Sequence, residues 1–338
     1  MNTITANHQT QTGAGSLFRS PTENRLRGGW RLLIQGAGYM GSSLLAQFIL
    51  GAGMGIFMMA SGADLTDPQV VIELSTRPVM RLLTALLSLG CILLTCWAAA
   101  RWLDKRPFRA YGFELTRQWW LDMGFGLALG AFLMLVIFLV ERLAGWIDVS
   151  TPALDGSAWG TIFVYLVVYI CVGITEELFS RGYQIRNLAE STAGFNPRLA
   201  VLIAYLGTSI FFGLLHAANP NASMTSTVYL MIAGLFLGLG YVLTGQLGLS
   251  IGLHITWNFF EGSVFGFPVS GMGSAASLVQ IEQGGPALWT GGPFGPEAGL
   301  VGLAATALGV LLILAYVKLT RGQVSLHTKL AEYTPAAE

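Results

Sequence analysis

Long apolar stretches constrain this chain more than any other feature of its sequence. A helix that crosses a bilayer needs about twenty mostly apolar residues, and the 338-residue sequence offers eight segments of that kind. They centre on 36–60, 79–101, 119–141, 158–180, 199–217, 224–245, 247–267 and 299–319. The segment at 247–267 is the weakest, because glycines and a polar cluster interrupt it. The pattern predicts an all-α fold, a polytopic transmembrane helical bundle with about eight spans.

The composition supports the same class of protein. Hydrophobic residues make up 53% of the sequence and charged residues only 11%, less than half the share of about 25% found in soluble domains. A soluble chain of this size would need more charge to cover its surface. The formal net charge is zero, so no nucleic-acid partner is indicated and we expect the lipid bilayer as surroundings. The 43 glycines favour close helix packing in that setting.

The apolar segments divide the chain into five parts. In order, these are a polar cytoplasmic tail at 1–30, the first three spans within 31–150, spans four to seven within 151–262, a loop rich in glycine and proline at 263–298, and the last span with a second cytoplasmic tail at 299–338. The loop has two interpretations. It is either a flexible connection or, through the segment Trp289–Glu297, a re-entrant cap, which is permitted where protein covers the backbone.

The positions of lysine and arginine predict the orientation of the chain. Of the 18 basic residues, only Arg77, Arg81 and Arg142 fall in connections on one side of the predicted membrane. Cytoplasmic connections carry the excess of lysine and arginine in membrane proteins. The bias is self-consistent only with an even number of spans, so both termini of this integral, multi-pass membrane protein should be cytoplasmic.

Two adjacent acids in the fourth span are the first candidates for function, because ionisable groups cost several kcal/mol in hydrocarbon. Glu177 shares a helix face with Arg181, four residues later, so these two can form a buried structural pair. Glu176 points about 100° away and has no local counter-charge, which suits a general base or acid. The alternative is that both acids lie at the solvated end of a helix.

Two histidines accompany these acids. Of the 4 histidines, only His216 and His254 lie near or within predicted spans. Phe212 precedes His216 by four residues and Asn258 follows His254 by four, so each pair projects from one helix face. Taken singly, His216 fits a helix C-terminal cap, and His254 and Asn258 could satisfy each other's hydrogen bonds. The combination with a double glutamate favours a reactive site, in which His254 and Asn258 would be a natural pair of oxyanion donors.

Three segments of the chain resemble the CAAX-protease and bacteriocin-processing (CPBP) family of intramembrane proteases, which includes the eukaryotic prenyl-protein endopeptidase. The family pattern is Glu-Glu-x-x-x-Arg, then Phe-x-x-x-His, then His-x-x-x-Asn or Asp. The corresponding residues here are, in the same order, Glu176-Glu177…Arg181, Phe212…His216 and His254…Asn258. The resemblance covers 175–260, about a quarter of the chain.

The resemblance implies an eight-helix bundle and the hydrolysis of a peptide bond by an intramembrane endopeptidase. Glu176 would activate the attacking water. His216 would cooperate in positioning that water or a metal ion. His254 and Asn258 would stabilise the tetrahedral oxyanion. The substrate class implied is a membrane-anchored protein or peptide, such as a prenylated CAAX-like peptide.

The remaining motif residues have supporting roles by the same resemblance. These residues are Glu177, Arg181 and Phe212. Metal dependence stays open: His216 and His254 could hold a divalent metal such as zinc with one open position, or the glutamate could act without one. The His-Glu-x-x-His helix motif of zinc hydrolases is absent from the chain.

Two other functions compete with proteolysis. A proton-coupled membrane transporter could use Glu176, His216 and His254 as a relay, although such sites usually lie on broken helices within inverted repeats, and no internal symmetry is evident here. A non-catalytic scaffold or bacteriocin self-immunity protein could share the fold and keep the motifs.

Counting residues along the helices gives a last expectation. From a turn near residue 194, Glu176 lies 18 residues before and His216 lies 22 residues after, which is roughly 27–33 Å along each helix. His254 lies only about eight residues past the turn before its own span. The three side chains can meet only if the hairpin between spans four and five extends beyond the other connections.

Overall fold

The computed structural model describes residues 15–20, 23, 25–60, 62, 67, 69–70, 73, 76–151, 154–194 and 196–335. Of the polar tail predicted at 1–30, residues 1–14, 21–22 and 24 lie outside the described residues. The α-helices that build the bundle are α1 (Gly28–Ala60), α2 (Pro78–Ala98), α3 (Arg117–Leu143), α4 (Gly156–Glu177), α5 (Arg186–Thr192), α6 (Pro197–Leu215), α7 (Met224–Thr244), α8 (Gly248–Phe259) and α9 (Leu300–Arg321).

Short helical turns continue or connect these helices. The π-helical turns are Ala99–Asp104, Leu178–Ile185 and Phe260–Val264. The 3-10 turns are Phe108–Tyr111, His216–Ala218, Gly292–Phe294, Pro296–Ala298 and Thr328–Ala331. Single α-helical turns occupy Gly15–Phe18 and Ala287–Thr290.

Within the described part of the chain, seven helical runs are long and apolar enough to cross a membrane. The predicted all-α polytopic bundle is therefore confirmed. The eighth predicted segment, 247–267, is also helical, but as the short helix α8 continued by the π-turn Phe260–Val264. It is the segment that its glycines and polar residues had marked as the weakest.

Helix α8 lies in the middle of the bundle, with nine of its twelve residues buried, so protein rather than lipid surrounds it. It packs directly on the backbone of α3. A Cβ on Gly126 or Gly130 would collide with the α8 backbone at Leu253, and one on Gly252 would collide with the α3 backbone. Small residues at such positions let two helices approach closely. This contact fixes where the side chains of α8 lie.

A second feature that positions the site is the length of the rod formed by α4, its π-turn and α5. The rod runs through 37 residues, about 55 Å, which is nearly twice the thickness of a hydrocarbon core of about 30 Å. The connection between α7 and α8 reaches only to the level of Gly182, where Tyr241 Oη donates to the Gly182 carbonyl at 3.5 Å. The hairpin of α5 and α6 thus extends beyond it, as the residue count required.

Buried ion pairs stabilise the end of the bundle that contains α5. Glu190 on α5 pairs with Arg25, Arg31 and Arg106, at 2.8, 3.3 and 2.5 Å respectively, and Asp104 pairs with Arg31 at 3.0 Å. Arg25 is only 2% exposed. The chain is therefore packed before residue 30, which differs from the predicted polar tail.

The end of the chain packs here as well. Leu330 and Ala331 are buried in the core formed with α5 and α6. The ring of Tyr333 lies 3.5 Å from the guanidinium carbon of Arg25, a cation–π distance. The second predicted tail thus includes residues that contribute to the folded structure.

The loop at 263–298 folds back onto the bundle. Its strand β2 (Gln280–Gln283) pairs antiparallel with β1 (Ile147–Ser150), a small sheet that the sequence did not predict. Further along, Phe294 and Ala298 are buried against α7, and the Gly271 amide donates to the Phe294 carbonyl at 2.7 Å. The re-entrant cap, rather than the flexible connection, is the structure that this loop adopts.

Candidate active site

The two adjacent glutamates lie at the end of α4, where the helix widens into the π-turn Leu178–Ile185. Such turns inside helices occur frequently at functional sites. The side chain of Glu176 faces an internal cavity and is 33% exposed, whereas that of Glu177 is fully buried. The two acids therefore occupy different surroundings, as helix geometry predicted.

Glu177 accepts two buried hydrogen bonds. Its Oε1 accepts from Arg181 Nη1 at 2.9 Å and from His254 Nδ1 at 2.8 Å. Arg181 also donates to the Gly234 carbonyl on α7 at 3.0 Å. The predicted pair of Glu177 and Arg181 is present, whereas the bond to His254 was not among the predictions. Glu177 thus joins α4 to α8 in addition to pairing within its own helix.

The bond to Glu177 determines the chemistry of the His254 ring. A carboxylate only accepts hydrogen bonds, so Nδ1 carries a proton and Nε2 points elsewhere. His254 Nε2 lies 3.9 Å from Glu176 Oε2, and that oxygen has no hydrogen bond with any described residue. A free carboxylate oxygen and an imidazole nitrogen therefore face each other beside the cavity.

His216 follows the last residue of α6 and lines the same cavity. Its Nδ1 contacts the Phe212 carbonyl oxygen at 2.8 Å. Since a carbonyl oxygen accepts, Nδ1 is the donor, and Nε2 of a neutral ring keeps its lone pair. His216 therefore does cap its own helix, as the simpler interpretation held, and still presents one nitrogen to the cavity.

Phe212 packs between the charged and the imidazole groups. Its ring centroid lies 4.5 Å from the Arg181 guanidinium carbon, 4.7 Å from the His216 ring and 6.5 Å from the His254 ring. These are distances for cation–π and aromatic contacts. The predicted supporting residue thus separates Arg181 from the cavity and packs against both histidines.

Asn258 lies one turn along α8 from His254 and also lines the cavity. The alternative that these two side chains satisfy each other is not what the structure has, because His254 Nδ1 bonds to Glu177. The Asn258 amide faces the same space as Glu176 and His216. The structure therefore brings all four predicted catalytic side chains to one cavity, although direct contacts join only Glu176 and His254 among them.

The cavity has a volume of about 820 Å³, which is in the range of small-molecule and peptide sites. Much of its lining is apolar. Several of the lining side chains are also exposed on the outside of the bundle, namely Leu33, Met40, Phe211 and Leu215. The cavity thus reaches the apolar outer surface of α1 and α6, while its polar groups lie inside.

Glu297 is a cavity residue that the sequence did not single out. It lies on the turn Pro296–Ala298 of the cap, near Ser270, whose hydroxyl and backbone amide favour the charged form of the carboxyl group. Burial raises the pKa of Glu297, against the opposing effect of Ser270 and the two histidines. Ser270 has a φ of 48°, rare for a residue with a side chain. The sequence signal that could have identified Glu297 is an acidic residue within a loop rich in glycine and proline.

The side chains around the cavity are of the types that zinc binds, namely imidazole nitrogens and carboxylate oxygens. Among the residues that the structure describes, however, no three His, Cys, Asp or Glu side chains are placed to hold one ion. The predicted ligands His216 and His254 line one cavity without forming such a centre.

Comparison with known proteins places this geometry in a family. A family profile for the type II CAAX prenyl endopeptidase Rce1-like proteins matches residues 158–260, which hold all three motifs. The uncharacterized protein YyaK of Bacillus subtilis (strain 168) is 25% identical over 197 residues, which cover 57% of this chain and 64% of the relative. The chain thus spans less than two thirds of that relative. No solved structure matches the chain. The resemblance indicated by the motifs is confirmed, because the segment 158–260 matches the profile of the Rce1-like CAAX prenyl endopeptidases.

Proposed function

We propose that this protein is an intramembrane endopeptidase that hydrolyses a peptide bond of a membrane-associated substrate. The observation that carries the proposal is the pair formed by Glu176 and His254, whose Oε2 and Nε2 atoms lie 3.9 Å apart beside a large cavity. One partner can take up a proton and the other can donate one, which is what the addition of water to a carbonyl requires.

In the proposed reaction Glu176 takes a proton from water while the water oxygen forms a bond to the carbonyl carbon. Negative charge develops on the carbonyl oxygen, and donors from His254 Nε2 and the Asn258 amide stabilise it. The carbon–nitrogen bond then breaks, and the proton passes from Glu176 to the leaving nitrogen. The proton count balances without a further reactant, because the second water hydrogen stays on the new carboxyl group.

The donor role of His254 sets a requirement on its charge. Its Nδ1 proton is committed to Glu177, so a proton on Nε2 makes the ring a cation. Glu176 and Glu177 lie on its two sides and are the counter-charges for that cation. Glu177 thus has a part in the proposed chemistry that extends beyond the support of α4.

The proposed substrate is a membrane-anchored protein or peptide, and a prenylated CAAX-like peptide fits the cavity in two respects. The cavity reaches the outer apolar surface at Leu33 and Phe211, where a lipid chain could remain in the bilayer. Its interior offers the polar groups that a peptide needs. The family match over 158–260 supports the same substrate class.

The test compares the purified full chain with its Glu176→Gln variant in detergent, using a farnesylated peptide with a CAAX-like C-terminus as probe. We expect cleavage to fall by about 10²–10⁴-fold without loss of folded protein, because Glu176 Oε2 makes no hydrogen bond in the described structure. Glu282→Gln, at an exposed residue of β2, is the control. Normal cleavage by Glu176→Gln would overturn the proposed role of this residue.

Three companion measurements separate the alternatives. Inactivation by a chelator, restored by zinc, would show metal dependence and would point to His216 and His254 as ligands. Substrate-dependent proton flux in proteoliposomes would favour a transporter. Full biological complementation by Glu176→Gln would favour a non-catalytic scaffold or self-immunity protein.

A further inference from the structure

Arg81 is a cation in the wall of the cavity that the proposed chemistry does not use. It lies near the start of α2 and is half-buried. Its Nη1 donates to the Met272 sulfur at 3.6 Å, and among the described residues no carboxylate pairs with it. A thioether sulfur is a weak acceptor, and a guanidinium has five N–H donors. Arg81 therefore keeps hydrogen-bond donors for a ligand inside the cavity.

Arg77, one turn earlier on the chain, shows the ordinary environment for such a residue. Its Nη2 pairs with Glu73 Oε1 at 3.0 Å, and the two side chains are 53% and 72% exposed. It does not line the cavity. The two arginines carry the same charge at the same end of the bundle, and only Arg81 faces the space that contains Glu176.

The distance of Arg81 from other cavity residues can be measured along α2. Tyr39 Oη is 2.8 Å from Ser88 Oγ, and both side chains line the cavity together with Glu176. Arg81 precedes Ser88 by seven residues, which is about 10 Å along a helix.

Helix α4 gives a second measure. Arg81 interacts electrostatically with Tyr165, which precedes Glu176 by eleven residues, or about 16 Å. Arg81 and Glu176 therefore line different parts of one cavity, so a bound peptide can place its end at Arg81 and an internal peptide bond at Glu176.

We propose that Arg81 binds the C-terminal carboxylate of the substrate and so fixes the direction in which the peptide lies in the cavity. The proposal rests on the proposed endopeptidase function. Guanidinium groups bind carboxylates through two parallel hydrogen bonds. Glu176 lies in the same cavity, and its carboxylate repels another carboxylate. The charges of the cavity thus favour one direction of the peptide, with its C-terminus at Arg81.

The test measures binding separately from cleavage. The full chain carrying Glu176→Gln, in detergent micelles, is titrated with two fluorescent farnesylated peptides that differ only in ending in a carboxylate or a carboxamide. We expect the carboxylate peptide to bind on the order of 10- to 100-fold more tightly, as for a hydrogen-bonded charged group. Adding Arg81→Gln should abolish this preference, whereas Arg77→Gln should leave it intact. Equal or undetectable binding of the two peptides, or a preference that survives Arg81→Gln, would overturn the proposal.

Cleavage by the chain with Glu176 intact supplies a second readout. Arg81→Gln should raise KM for the carboxylate peptide by the same factor and change kcat and the KM for the carboxamide little. Failure of the anchor and failure of the endopeptidase can be told apart. Glu176-dependent cleavage of both peptides with equal KM would refute the role of Arg81 and leave the endopeptidase function standing. Arg81-dependent preference for the carboxylate peptide, without any cleavage by the unmodified chain, would refute the endopeptidase function and leave the role of Arg81 standing.

Discussion

Replacing Glu177 tests whether one buried carboxylate supports both the fold and the His254 ring. Its Oε1 accepts two hydrogen bonds, from Arg181 at 2.9 Å and from His254 at 2.8 Å, and Arg181 is only 2% exposed. Glu177→Ala would leave a buried guanidinium without its counter-charge. Breaking a buried ion pair from one side costs about 3–5 kcal/mol, so we expect a loss of that order in the free energy of unfolding.

Glu177→Gln is the milder change, because the amide oxygen can still accept a hydrogen bond. Hydrogen bonds to charged groups contribute about 1.5–3 kcal/mol and neutral ones about 0.5–1.5 kcal/mol. The amide nitrogen would take the place of Oε2, which has no partner among the described residues. We therefore expect a loss of roughly 1–3 kcal/mol, with cleavage reduced as well because His254 loses one of its counter-charges.

The assay is unfolding by SDS titration in mixed micelles, run in parallel with cleavage of the farnesylated peptide. Glu176→Gln is the matched comparison, since it should lower cleavage without lowering stability. If Glu177→Ala kept its stability within about 1 kcal/mol and its full activity, the buried clamp between α4 and α8 would be refuted. Loss of stability with full activity would show that His254 does not depend on Glu177 for its chemistry.

Two further substitutions test the elements around the site. Gly252→Val should displace α8 from α3, costing about 1–3 kcal/mol through overpacking and lowering cleavage by misplacing His254. Gly124→Val, at a position on α3 with open space around it, is the control, and equal stability of the two variants would contradict the direct helix contact. Glu297→Gln should lower kcat on the order of tenfold, because it removes an ionisable group from the cavity that Glu176 and His216 line. An unchanged kcat and pH profile would show that Glu297 only fastens the cap.

The helices and the identity of the motif residues could be predicted because both depend on local sequence. Apolar stretches of bilayer length can be recognised without any knowledge of the segments that pack against them. The spacing of four residues between Glu177 and Arg181, or between His254 and Asn258, fixes a shared helix face. The division of the two adjacent glutamates between a pair and a cavity followed from helix geometry alone, and the structure has that division.

Contacts between distant segments could not be predicted in this way. His254 and Glu177 are 77 residues apart in the chain, and no local pattern brings their side chains together. Glu297 lies in a loop without periodicity, so its approach to the cavity depends on the cap folding back. The strands of the small sheet, Ile147–Ser150 and Gln280–Gln283, are four residues each and lie far apart in sequence. The orientation of the termini stays a prediction.

A contact between Leu247 and Gly182 explains why Glu176 and His254 lie at the same depth. Leu247 packs against Gly182, where a Cβ would lie 3.1 Å from Leu247 Cδ1. From this shared level His254 is seven residues along α8 and Glu176 is six residues back along α4, which is about 10 Å and 9 Å. The two helices run in opposite directions, so these equal distances bring the carboxylate and the imidazole to the same depth. Because the level is set at Gly182 rather than at the hairpin turn near 194, a helix of only twelve residues suffices to carry half of the site.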